Sequence, residues 1–198
     1  GVRNSLLKSG ENNFLKNGFK DASLRKIVKD AGTTIGNFYN YFENKEALFI
    51  ELVKEDYNKF MKLLNQHEDI ERPDYLWEVS NPKTWRNVLS NLIKDIIPKF
   101  GNGIVLLLDS SEGTKYENSK EKLINNLELH LTDHAKRFGN DKIKHEFLNV
   151  LASQFVYGFV KILKDNKNDE KRHELIIEHF LFFMIGTMGM IGDFNENN

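Results

Sequence analysis

Apolar residues recur along this 198-residue chain at intervals of three and four, and few stretches alternate apolar with polar positions. That period belongs to helices with one buried face, so the pattern predicts an all-α fold. Leu6, Leu7, Phe14 and Leu15 give a partial stripe ending near Gly18, where a helix C-cap glycine belongs. Ser23 opens the next element as an N-cap. Leu24, Ile27, Val28 and Ala31 follow at i, i+3, i+4 and i+7, and Gly32 ends it. Thr33 or Thr34 can cap a third helix running to about Tyr39 or Asn40. A fourth begins near Asn44 or Lys45 and carries Leu48, Phe49, Leu52, Val53, Tyr57 and Phe60 toward Leu64.

The second and third of these helices are too short to hold helical form alone, and each needs the other's apolar face. Two such helices joined by a tight glycine turn have the helix-turn-helix layout, in which the second helix enters the DNA major groove. From Asn65 to Lys83 the pattern loosens and two of the three prolines fall there, so this stretch reads as a connection with a short turn around "DYLWEV". Helices are then predicted at roughly 84–100, 103–112, 117–138, 142–164 and 171–192, with polar breaks at "GNDK" and "DNKND". In the last two, Ile143, Phe147, Val150, Leu151, Phe155, Phe159, Ile162 and Leu163 form a wide stripe. "FLFFMIGTMGMIG" has Thr187 as its one polar side chain. That run is too short to span a bilayer, so no membrane is expected as a partner. Being apolar on all sides, it is expected to be buried against more than one partner. Gly186, Gly189 and Gly192 leave room for a second helix. The economical reading is a subunit interface, a four-helix bundle formed by two copies, with Phe147, Leu151, Phe155, Phe180, Phe183, Gly186 and Met190 as its residues.

Charge adds a local signal to this pattern. Residues 1–46 hold eight Lys and Arg against five acids, a net of +3, while the whole chain is −1, which leaves −4 for the remainder. A mildly basic head on an acidic body suits contact with phosphates. There is no cysteine, which excludes disulfides, thiolate metal sites and cysteine nucleophiles. With no signal-peptide pattern at the start, a cytoplasmic location is expected. The first residue is Gly1 and not methionine, so the native start is expected to be trimmed or lost.

The stretch "SLRKIVKDAGTTIGNFYNYFENKEAL" resembles the DNA-binding region of the TetR/AcrR family of bacterial transcriptional regulators. The matching positions are Ser23, Ile27, Ala31, Gly32, Thr34, Gly36, Tyr39, Phe42, Lys45, Glu46 and Leu48. Thr33 stands where the family usually has valine and Val28 where it often has alanine. Glu11 and Asn13 occupy first-helix positions where apolar residues are common. The resemblance implies a three-helix DNA-binding head, residues 1–46, and a helical effector-binding and dimerisation body, residues 47–198.

Carried over position by position, Thr34, Ile35, Gly36 and Asn37 face the groove. Asn37 is suited to adenine and Ile35 to a thymine methyl. Gly36 lets backbone approach closely; the plain alternative is a helix glycine tolerated for packing. Tyr39 and Asn40 fall where the family contacts the sugar-phosphate backbone. Lys45 matches a phosphate contact or is simply a solvated lysine. Arg25 matches a base or phosphate contact, and Ser23 either a phosphate contact or only a cap. Phe38 and Phe42 belong to the small core. The resemblance further implies a homodimer on a palindromic double-stranded operator, acting most often as a repressor and released by a small-molecule effector. Aromatic pocket candidates are Tyr57, Phe60, Trp77, Trp85, Phe100, Tyr116, Phe155 and Tyr157, with core packing the alternative for each. Asp109, ending an apolar run, can hold a cationic ligand or face solvent. His130 and His134, at i and i+4, make an incomplete metal pair, and neither metal nor cofactor is expected. No phosphate loop, nucleophile elbow or dinucleotide fingerprint is present, so the chain does not read as an enzyme. Two other readings stay open: an enzymatic or carrier body with a helix-turn-helix appendage, and a DNA-binding protein without an effector.

Overall fold

The structure is a computed structural model that describes residues 1–65, 82–137 and 143–191. All regular structure in that range is helical: α1 (Val2–Asp21), α2 (Leu24–Asp30), α3 (Ile35–Phe38), α4 (Lys45–Asn65), α5 (Pro82–Ile96), α6 (Asn102–Asp109), α7 (Ser119–Arg137), α8 (His145–Asp165) and α9 (Asp169–Ile191). The turn expected around "DYLWEV", and Trp77 within it, lie outside the described residues.

Packing divides the chain into two compact units, Gly1–Met61 with Phe100–Lys120, and Lys62–Lys99 with Glu121–Asn198. The division expected at 46/47 rests on the resemblance of the first helices. The packing units place α6 and most of α4 with the first three helices.

The first unit is built on a ring cluster. Phe14, Phe19 and Phe49 meet at centroid distances of 5.4–5.7 Å, so α1 and α4 close on one apolar seam. Leu6, Ile27, Phe38 and Leu48 are fully buried around it. Leu15, expected on the buried stripe, is instead exposed: α1 kinks at Gly18, and Phe14 and Phe19 take the inward places. Asn13, in a position that favours apolar residues, is buried without being orphaned. Its amide donates to Ser9 O and to Asp30 Oδ2, while Ser9 Oγ donates to Ile27 O, so a polar strap joins α1 to α2.

A second strap holds α6. The Asp56 carboxylate, buried on α4, accepts from the backbone N–H of Gly101 (3.0 Å) and of Ile104 (2.9 Å). It thereby caps the amino end of a helix far away in sequence. Gly103 is required there, because a Cβ would lie 2.8 Å from Leu52 O and 2.9 Å from Asp56 Oδ2. At the other end of α6, Phe19 N donates to Ser110 O, Lys20 pairs with Glu112, and Glu46 accepts from Lys115 N.

In the second unit α9 packs on α5 and on α8. Phe155 is its hub, in ring contact with Phe159, His179, Phe180 and Phe183. Arg172, buried in the first turn of α9, donates to Leu163 O (2.7 Å) and Asn166 O, closing the carbonyl end of α8. By length and composition α8 is apolar enough to cross a membrane, yet its Leu148-to-Leu163 face is buried in this unit.

Candidate nucleic-acid interface

The turn between α2 and α3 is set by hydrogen bonds local in sequence. Gly32 N donates to Lys29 O and Thr33 N to Val28 O, the paired bonds of a Schellman closure. Gly32 has a φ of 71°, a left-handed backbone that a side chain resists. Ser23 Oγ accepts from Lys26 N at the start of α2, and Thr34 Oγ1 accepts from Asn37 N at the start of α3. Both expected caps are therefore in place, and α3 stops at Phe38, short of Tyr39.

Only Phe38 of α3 is buried, in ring contact with Phe42 at 5.6 Å; both are core residues, as expected. Thr34, Ile35, Gly36, Tyr39 and Asn40 are exposed, and Asn37 is half-buried. Tyr39 is 56% exposed while its ring edge rests on Phe38. Tyr41, which sequence reasoning did not assign, is exposed as well. Its signal was available: Phe38 and Phe42, four positions apart, share the buried side, which leaves Tyr39 and Tyr41 between them facing out.

Gly36 separates two readings of its own position. A Cβ built there meets nothing closer than Thr34 Oγ1 at 4.0 Å, so no contact among the described residues requires a glycine.

The basic side chains of the head divide into two groups. Arg3 pairs with Glu51 and Lys26 with Asp30. The Lys26 hydrogen bond, helped by Asn13, holds the Asp30 carboxyl below its ordinary range. Lys8, Lys16, Arg25 and Lys29 are exposed and have no ion pair among the described residues. Lys45 is half-buried. Its ammonium donates to Phe19 O (2.8 Å) and Ala22 O (3.0 Å) and lies 4.4 Å from the Phe19 ring centroid. It closes the carbonyl end of α1, and desolvation lowers its pKa.

The ligand candidates scatter. Tyr57 and Tyr116 do meet, with centroids 5.1 Å apart, and Phe60 is half-buried on the same helix as Tyr57. Phe100 is buried core, and Asp109 is exposed and pairs with Lys120. Phe155, assigned to both the pocket and the interface, is buried among rings of its own chain, and Tyr157 is exposed. The side chain of Trp85 lies outside the described residues. His130 and His134 sit edge to face at 4.5 Å, and among the described residues no third His, Cys, Asp or Glu completes a metal site.

A family model described as bacterial regulatory proteins, tetR family, matches residues 6–52, the stretch that contains this surface. The chain is 46% identical over 61 residues to YdgC of Bacillus subtilis, an uncharacterized HTH-type transcriptional regulator, across 31% of each chain. It is 39% identical over 51 residues to the fatty acid metabolism regulator protein of the same organism, across 26% of each. It is 33% identical over 65 residues to the HTH-type transcriptional repressor NemR of Escherichia coli, across 33% of each. The matched stretch thus spans a third or less of these relatives' lengths. The crystal structure of reduced E. coli NemR aligns over 90% of this chain and 95% of that one, at 19% identity and a TM-score of 0.40.

Proposed function

We propose that this chain is a member of the TetR family of bacterial regulatory proteins, whose model matches residues 6–52, and a sequence-specific DNA-binding transcriptional regulator of the cytoplasm. It acts as a homodimeric repressor on a palindromic operator and is released by a small molecule. The observation that carries the reading is the exposed α3 surface built around Gly36, a glycine that no contact among the described residues requires. A position left bare without internal cause suits the approach of another molecule's backbone or base edge. Thr34, Ile35, Asn37, Tyr39 and Asn40 surround it, and Ser23 and the unpaired Arg25 stand at the start of α2.

Dimerisation is supported by exposed apolar side chains on the last two helices. Phe182 is 82% exposed, and Phe147, Val150, Tyr157 and Met190 are exposed with it. Gly186 and Gly189 have open space where a Cβ would stand. In the proposed dimer these residues replace Phe155 at the interface, with Leu151, Phe180 and Phe183 half-buried beside them. Two heads so joined would read half-sites about 34–36 Å apart or a multiple of that. The Tyr57–Tyr116 pair is the starting point for the effector site.

The test is a mobility shift of the DNA upstream of the chain's own gene at moderate salt. A sequence-dependent shift supports the reading. Binding no stronger than to unrelated duplex of equal length sinks it.

A further inference from the structure

Thr33, Asn37 and Asn40 form a chain of side-chain hydrogen bonds along α3. Asn37 Nδ2 donates to Thr33 Oγ1 at 2.8 Å, and Asn40 Nδ2 donates to Asn37 Oδ1 at 3.1 Å. A carboxamide carries two N–H donors and two carbonyl lone pairs. The chain uses one of each, which holds the amide plane. One N–H and one lone pair are left on a side chain that is half-exposed.

A donor and an acceptor side by side on one rigid amide match the major-groove edge of adenine, where N7 accepts and the N6 amino group donates. They do not match guanine, which presents two acceptors, N7 and O6. An untethered asparagine would have to give up rotational freedom on meeting the base, whereas this one is already held. Resting on the reading of this surface as a DNA-binding face, we infer that Asn37 determines specificity for an adenine in each half-site. Thr33 and Asn40 are positioning residues that hold its carboxamide for that base. This gives Asn40 a second role beside any backbone contact, and the two roles differ in consequence. A sugar-phosphate contact supports all sequences alike, while a positioning residue acts on one base position.

Selection of duplexes from a random pool by the full chain gives the preferred site. Repeating the selection with Asn37→Ala identifies the position that Asn37 reads. An adenine should be preferred there by about 5- to 150-fold in the wild type and not in Asn37→Ala. Placing 7-deaza-adenine at that position removes the N7 acceptor. It should weaken the wild type by about 5-fold or more and leave Asn37→Ala indifferent. Thr33→Val and Asn40→Ala should each reduce the adenine preference severalfold at that position alone, and Thr33→Ser should restore it. If one of the first two variants unfolds, as seen in its thermal melt, the other and Thr33→Ser still decide. An unchanged preference in Asn37→Ala, or a lost preference for any base but adenine, overturns the assignment. Adenine preference that survives Thr33→Val and Asn40→Ala overturns the positioning role. A wild type that enriches no sequence defeats the DNA-binding reading itself, a separate failure.

Discussion

Gly36 and Lys45 make opposite cases about what a surface residue is for. Gly36 is exposed with no neighbour to accommodate, so Gly36→Ala should leave the fold intact or stabilise it, by at most about 1 kcal/mol. If a groove wall comes as close as proposed, the added methyl should nevertheless lower operator affinity about tenfold or more, as read by titration. Unchanged affinity would return Gly36 to an incidental helix residue. Lys45 looks from its position like a phosphate ligand, yet its ammonium is spent on two carbonyls at the end of α1. Lys45→Met should therefore cost about 1–3 kcal/mol of stability in denaturant melts. The slope of log affinity against log salt should stay the same. Loss of a true phosphate contact would reduce that slope by about 0.9.

At the scale of elements, what was legible in the chain is what is local. The caps at Ser23 and Thr34, the glycine closure at Gly32 and the burial of Phe38 and Phe42 all depend on neighbours within a few positions. Residue pattern is enough to place them. The straps were invisible for the same reason. Asp56 meets Gly101 and Ile104 across 45 and 48 positions, and Lys45 meets Phe19 across 26. A polar residue on a helix face looks solvated until its distant partner is known. Phe155 shows what residue pattern leaves open. An aromatic stripe tells that a ring is buried without telling whether its own chain or another covers it. The Asp56 strap predicts that Asp56→Ala lowers stability by about 1–3 kcal/mol, since the buried Ile104 N–H and the half-buried Gly101 N–H lose their acceptor, and that Asp56→Asn recovers part of the loss. Gly103→Ala should cost a comparable amount through its collision with Leu52 O. Melting temperatures of the three variants check both, and a Gly103→Ala protein as stable as wild type would refute the close approach.

For the whole molecule the outstanding feature is apolar surface without cover on α8 and α9. In the proposed dimer Phe182→Glu removes none of the buried side chains of its own unit, so the variant should stay folded and sediment as a monomer, with the wild type expected as a dimer. A dimer that survives this charge would move the interface elsewhere. Pairing through that surface would also make the regulator a counting device. A protomer alone would grip a single half-site weakly, so operator occupancy at low copy number would rise with the square of chain concentration. The bare ring of Phe182 would then help to set how abundant the protein must be before it silences anything.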